Sequence, residues 1–134
     1  MTNNELFNLL PVLSRSKVCL PGTIDPETSD KLIDLLCLLE SEADELKKRI
    51  DLIREQTRPE DIEEGKEPTP EQTACWERAF GVQMDLLGEK TSSISFVPLS
   101  AEEFRQLTAA NTFIGMQAAV LKRTIVERKE EEQA

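Results

Sequence analysis

The stretch LIDLLCLLESEADELKKRIDLI, residues 32–53, decides the fold of this chain. Its aliphatic side chains recur every seven residues in two interleaved series: Leu32, Leu39, Leu46 and Ile53, and Leu36, Ala43 and Ile50. Such series are the a and d positions of a helix that packs against another helix. Asp25-Pro26-Glu27 supplies an N-cap acceptor, a proline suited to the first helical position and an acid near the positive end of the helix dipole. We therefore expect a helix over residues 26–56, with its first half more deeply buried.

A second heptad series starts after the capping box Ser100-Ala101-Glu102-Glu103. Its members are Phe104, Leu107, Asn111, Ile114, Ala118, Leu121 and Ile125. This series predicts a second long helix, from Ser100 to about Arg128, that pairs with the first one. Asn111 is its polar member, and a half-exposed position is favoured over a buried amide that sets the register.

Helix punctuation elsewhere predicts shorter elements. Thr2-Asn3-Asn4-Glu5 is a capping box for a short helix that should stop or become irregular at Pro11. Thr69-Pro70-Glu71-Gln72 opens a third helix, for which Gly88 is the expected C-terminal cap. Two apolar segments, 18–20 and 94–97, are short enough to pair as extended strands.

These elements define the predicted fold class, which is mainly α. We expect an antiparallel helical hairpin or small helical bundle with two long helices, a shorter third helix and at most a minor two-stranded β element. Residues 1–134 form a single helical domain in this interpretation. Residues 57–69 are rich in acids and prolines and predict a flexible linker, and residues 129–134 predict a frayed tail.

The composition disfavours an enzyme. The 134 residues include no histidine and no tyrosine, and Cys19, Cys37 and Cys75 form no C-x-x-C pair. Histidine is the commonest general acid or base and the commonest metal ligand. There is no phosphate loop and no dinucleotide fingerprint. The sequence therefore predicts no catalytic residue, no cofactor, no metal site and no small-molecule substrate.

The charge of the chain limits its partners. The formal net charge is −10 at pH 7, and the sequence shows no basic patch that would overcome this negative charge locally. Direct nucleic-acid binding and attachment to an anionic membrane are therefore disfavoured. The first ten residues lack the basic region of a signal peptide, no apolar stretch has the length of a membrane span, and three unpaired cysteines suit a reducing compartment. We expect a cytoplasmic protein.

Excess apolar helix surface points to a protein partner or to self-association. Phe113, Met116 and Val120 form a stripe beside the second heptad series, and either the third helix or another protein must cover it. On the third helix, Trp76 and Phe80 share one face, and tryptophan is a frequent interface anchor. The candidate partner-binding residues are Trp76, Phe80, Phe113, Met116 and Val120.

The sequence is compatible with two functions. The first is a non-enzymatic helical protein–protein interaction module. The alternative is an acidic inhibitor or decoy that binds a host nucleic-acid-binding protein. Bases such as Lys47, Lys48 and Arg49 interrupt the acidic rows that a duplex mimic needs, which weighs against the alternative.

The order of short motifs along most of the chain carries a resemblance. The motifs are Leu9-Leu10-Pro11, Leu20-Pro21, Pro26-Glu27-Thr28, an acidic spacer, Leu86-Leu87-Gly88-Glu89 and Phe96-Val97-Pro98-Leu99-Ser100. In this layout the chain resembles small helical proteins encoded by tailed bacteriophages and prophages. The resemblance implies a location in the bacterial host cell or the virion and a role as a minor structural or assembly protein. It implies no catalytic residues.

Overall fold

A computed structural model of the chain describes residues 1–127, and it is mainly helical. Within this range the helices are α1 (Asn3–Ser14), α2 (Pro26–Gln56), α3 (Pro70–Glu89), α4 (Ala101–Ala110) and α5 (Gly115–Ile125). The prediction of a mainly α fold built as a small bundle is confirmed. The predicted frayed tail, 129–134, lies outside the described residues.

Local capping chemistry sets the beginnings of four helices, as predicted. Thr2, Thr69 and Ser100 each form a complete capping box with the residue three positions later. Asp25 accepts a hydrogen bond of 2.8 Å from the Thr28 amide, ahead of the proline that opens α2. These side chains satisfy amides that have no partner inside the helix, so the helix starts can be read from sequence.

The short helix α1 occupies the centre of the bundle. It packs against α2, α3 and α5. Leu6, Leu9 and Leu13 follow one another at the spacing of a single helix face, and none is more than 1% exposed. The core cluster that they join contains Leu32, Leu35, Leu39, Ala43, Leu46, Leu87, Leu99, Leu107, Leu121 and Ile125. The heptad face of α2 thus has α1 as its main helical partner, where we expected a second long helix.

The predicted second long helix is corrected by the structure, because α4 and α5 are separated by residues 111–114. Asn111 ends α4 and is half-buried. Its Nδ2 donates to the Leu107 carbonyl at 3.0 Å and to the Lys17 carbonyl at 2.9 Å, and its Oδ1 accepts from the Lys17 amide at 2.7 Å. The side chain therefore substitutes for the next turn of helix and ties the chain to the segment after α1. Leu107 before the break and Leu121 and Ile125 after it are buried in the same core, whereas Ile114 in the break is 63% exposed.

Two expected helix ends are also displaced. α1 continues through Pro11 to Ser14, and Leu13 beyond the proline is buried. α3 continues through Gly88 to Glu89, so Gly88 is not its cap. A Cβ on Gly88 would collide with the Asn4 side chain, and Asn3 Nδ2 donates to the Leu87 carbonyl at 2.8 Å. Gly88 therefore lets α1 approach the end of α3 closely.

Residues 1–127 contain no β-strand, only two isolated bridges. Thr2 pairs with Thr91 and Leu99 pairs with Val126, so the expected pairing of 18–20 with 94–97 does not form. The Leu99 amide donates to the Ile125 carbonyl at 2.7 Å, and the Glu127 amide donates to the Leu99 carbonyl at 2.8 Å. These bridges anchor the extended segment that joins α3 to α4.

Residues 57–69 connect α2 to α3 without a helix. Ile62 in this connection is buried, and the Asp61 carbonyl accepts a hydrogen bond of 3.0 Å from Gln72 Nε2. The flexibility of this linker remains a prediction.

One ion pair joins α2 to α4. Lys31 Nζ lies 2.8 Å from Glu103 Oε1, and the Glu103 carboxylate also accepts from the Ser100 amide at 2.9 Å. Burial disfavours the charged carboxylate, but the hydrogen bonds from Lys31 and Ser100 outweigh that effect, so the pKa of Glu103 lies below its ordinary value. The same contact raises the pKa of Lys31.

The central position of α1 predicts that Leu9→Ala lowers the free energy of unfolding by about 2–5 kcal/mol, since it opens a cavity in a closed core. Leu52→Ala is the matched control, because Leu52 is 59% exposed on α2 and its truncation should change stability by about 0.5 kcal/mol or less. Urea denaturation followed by far-UV circular dichroism measures both. Equal midpoints for the two variants would contradict the central role of α1.

The ion pair predicts the direction of acid sensitivity. Because the folded-state pKa of Glu103 is depressed, its stabilising contribution is present above the ordinary value of 4.5 and is lost as the pH falls through the folded-state pKa. Glu5 shifts in the same direction, chiefly through its hydrogen bond from the Thr2 amide. We expect Glu103→Gln to reduce the loss of stability below about pH 4.5, measured as the urea midpoint at successive pH values. An unchanged pH profile in this variant would show that the pair does not contribute.

Candidate interaction surface

Trp76 and Phe80 lie near the middle of α3, next to the end of α2. Trp76 Nε1 donates a hydrogen bond of 2.8 Å to the Arg54 carbonyl. The Arg54 guanidinium lies 4.4 Å from the centroid of the Phe80 ring, and the Arg58 guanidinium lies 5.9 Å from the Trp76 ring. Both aromatic residues are half-buried. Cation–π contacts and this hydrogen bond therefore fasten α3 to α2.

The aromatic pair leaves a small recess at the surface. Its volume is about 160 Å³, and its lining is Arg54, Thr73, Trp76, Glu77 and Phe80. Arg54 and Arg58 already occupy the indole N–H and one face of each ring. These groups are therefore engaged within the chain.

A second apolar row follows the opposite side of α3. It consists of Cys75, Ala79, Val82 and Leu86, which we call the α3 seam. All four residues are exposed, Val82 by 59% and Leu86 by 51%. At 100° per residue, the seam lies roughly 125° around the helix from the row formed by Trp76, Phe80, Met84 and Leu87. Cys75, Ala79 and Val82 therefore face away from α1 and α2, and Leu86 lies beside a recess next to the end of α2.

The spacing of the α3 seam is that of a coiled-coil contact. Intervals of four, three and four residues correspond to d, a, d and a positions of a heptad. Arg78 and Asp85 then occupy g positions on one flank, and Trp76 and Gln83 occupy e positions on the other. In residues 1–127, neither Arg78 nor Asp85 forms an ion pair. The row thus has the features of a helix–helix interface with no helix from the described chain against it.

The apolar surface extends beyond α3 at one end. A cavity of about 360 Å³ lies between α2 and the end of α3, with Ile53 and Leu86 in its lining. Leu86 therefore belongs both to the α3 seam and to this recess, which adds contact area for an incoming side chain.

The other candidate residues lie elsewhere. Phe113 is half-buried against the core in the break between α4 and α5. Met116 is 79% exposed at the start of α5, and Val120 is half-buried. α5 packs chiefly on α1, whereas α3 packs on α1 and α2. The structure thus brings Trp76 and Phe80 together, but it does not join them to Phe113, Met116 and Val120 in one surface.

A recess of about 680 Å³ lies at the turn before α2. Its polar groups pair with each other: the Asp25 amide donates to Gln106 Oε1, and Gln106 Nε2 donates to Asp25 Oδ2, both at 2.9 Å. The hydrogen bond from the Thr28 amide, followed by that from Gln106, lowers the pKa of Asp25. An ionised carboxylate with these partners is poorly suited to exchange protons near neutral pH.

Between residues 1 and 127, no three side chains of the His, Cys, Asp and Glu types converge as a metal-binding group. None of the helices there is both long enough and apolar enough to span a bilayer. Cys19, Cys37 and Cys75 are free and exposed.

The sequence contained the signal for the α3 seam, although our prediction did not use it. Val82 and Leu86 were not among the partner-binding residues predicted from the sequence. The interval pattern of the seam is visible in the sequence, but whether such a row is covered depends on where α1 lies.

Comparison with known proteins adds no relative: no family model matches the chain, no curated protein matches its sequence, and no solved structure matches its fold.

Proposed function

We propose that this protein is a non-enzymatic helical protein–protein interaction module that binds through the α3 seam. The observation that carries the proposal is the exposure of Val82 and Leu86 in a row with heptad spacing. Full burial of a valine or leucine side chain contributes about 1.5–3 kcal/mol, so covering this pair is a substantial driving force for association.

The polar surroundings of the α3 seam support the same interpretation. Its e and g positions carry Arg78, Asp85 and Gln83, which would form the polar rim of an apolar contact. This arrangement favours the interaction module over the acidic decoy, because the exposed feature is an apolar row with charges of both signs beside it.

The biological setting that we propose comes from the resemblance to phage and prophage proteins. In this setting the module is a minor structural or assembly protein, made in the cytoplasm of a bacterial host. In this role the protein would act by contact with copies of itself or with other assembly components.

Site-specific photo-crosslinking tests the proposed surface. A benzophenone amino acid in place of Val82 should form a crosslinked product in cells that express the full chain, and the same probe in place of Lys47, an exposed residue of α2, should not. The added substitution Leu86→Glu should lower the Val82 yield about tenfold, since it places a charge in the contact. Either a homodimer or a product with another protein supports the proposal.

Two outcomes would contradict it. Equal yields from the Val82 and Lys47 positions would show that the α3 seam is not a preferred contact. A Val82 yield that is unchanged by Leu86→Glu, in a variant whose circular dichroism matches the parent, would show that contact does not depend on the apolar row.

A further inference from the structure

We infer that the α3 seam is closed by the α3 seam of a second copy of this chain, with the two helices antiparallel. This inference rests on the proposed function and deepens it by naming the partner. It is carried by three features of α3: the order of small and large residues in the seam, the charges on its flank, and its orientation away from the core.

The first feature is steric. The positions of the four seam residues along the helix are symmetric about the midpoint between Ala79 and Val82. A two-fold axis at that midpoint places Ala79 opposite the partner's Val82, and Cys75 opposite the partner's Leu86. Every layer then combines a small side chain with a larger one, which allows interdigitation at constant helix separation. A parallel arrangement would instead place Cys75 against Cys75 and Leu86 against Leu86, so that two loosely packed layers would be followed by two crowded ones.

The second feature is electrostatic. In an antiparallel pair, the g positions of one helix lie along the g positions of the other. Arg78 would therefore lie beside the partner's Asp85, and symmetry would repeat this ion pair on the other side of the axis. A parallel pair would place Arg78 beside the partner's Gln83, which carries no charge, and Asp85 beside the partner's Lys90, which is the C-cap residue and lies outside the helix. The flank charges thus favour the same orientation as the packing of the seam.

The third feature is access. All four seam residues and both flank charges are exposed, whereas the row that holds α3 in the bundle is on the other side of the helix. Association therefore requires no unfolding and no movement of α1 or α2. An isologous contact of this kind forms a closed dimer and does not propagate into a filament.

The size of the contact sets the expected affinity. Four seam residues span about 16 Å of helix at 1.5 Å per residue. Such an interface is smaller than that of a typical stable complex, and each copy carries a net charge of −10, which opposes association. We expect a dimer with a dissociation constant on the order of tens of micromolar.

Charge exchange tests the orientation and the partner together. Sedimentation equilibrium of the full chain over a concentration series should show a monomer–dimer equilibrium. Arg78→Asp and Asp85→Arg should each weaken the dimer by about tenfold or more, because each creates two like-charge contacts. The double variant should regain the parental affinity. An equimolar mixture of the two single variants should form a heterodimer, since one copy then carries acids at both flank positions and the other carries bases.

Cysteine crosslinking provides a second measurement. In a background of Cys19→Ser and Cys37→Ser, Leu86→Cys should form intermolecular disulfides with the native Cys75 of the other copy under mild oxidation, and the background without Leu86→Cys should remain largely monomeric. Leu52→Cys on α2 is the control for random collision, because Leu52 is exposed to a similar extent. Circular dichroism of every variant should match that of the parent.

The outcomes separate this inference from the proposed function. A chain that remains monomeric at all concentrations overturns the inference, but crosslinks from Val82 to a different protein would still support the interaction module. Efficient Cys75–Cys75 crosslinking in the background overturns the antiparallel arrangement. If the parent chain dimerises but the mixture of Arg78→Asp and Asp85→Arg does not form a heterodimer, the assignment of this contact to α3 is overturned.

Discussion

The constraint on which this structure depends is the burial of one short leucine row. Leu6, Leu9 and Leu13 on α1 are almost completely removed from water, and α1 is the element that contacts α2, α3 and α5. A 31-residue helix such as α2 cannot cover its own apolar face, and an aliphatic core with few aromatic residues gains its stability from closely packed leucines. With α1 in this position, each longer helix has one covered side and one free side.

The free side of α3 follows from that arrangement. Trp76, Phe80 and Leu87 are on the side of α3 that is held by α2 and α1, and Gly88 allows α1 to come close to the end of the helix. The α3 seam then remains outside, with apolar side chains at coiled-coil spacing. An exposed row of this kind lowers the solubility of an isolated monomer. Its burial in a complex stabilises that complex relative to the separate monomers. The same packing that stabilises the bundle therefore produces the surface that we propose for binding.

The heptad intervals of the α3 seam can be read from the sequence, but none of its four residues was among the predicted partner-binding residues. The sequence identified Trp76 and Phe80 as large side chains on one face of α3, and the structure shows that this face is engaged by Arg54 and Arg58. Phe113 and Met116 were expected to form one stripe, but that expectation assumed an unbroken helix through Asn111. Hydrogen bonds between Asn111 and Lys17 link residues that are 94 positions apart, and local periodicity contains no information about such a contact.

The sequence by itself determined the helical class of this protein and the beginnings of its main helices. Capping side chains, helix-opening prolines and heptad intervals act within one or two turns, so their effect is local and can be read from a single chain. Only the tertiary structure decided which helix fills the centre, where the second heptad series breaks, and which apolar row stays in water. These outcomes depend on which apolar helix faces are buried in the single core. Alternative packing arrangements of the same helices differ in free energy only through contacts between helices, which are distant in sequence.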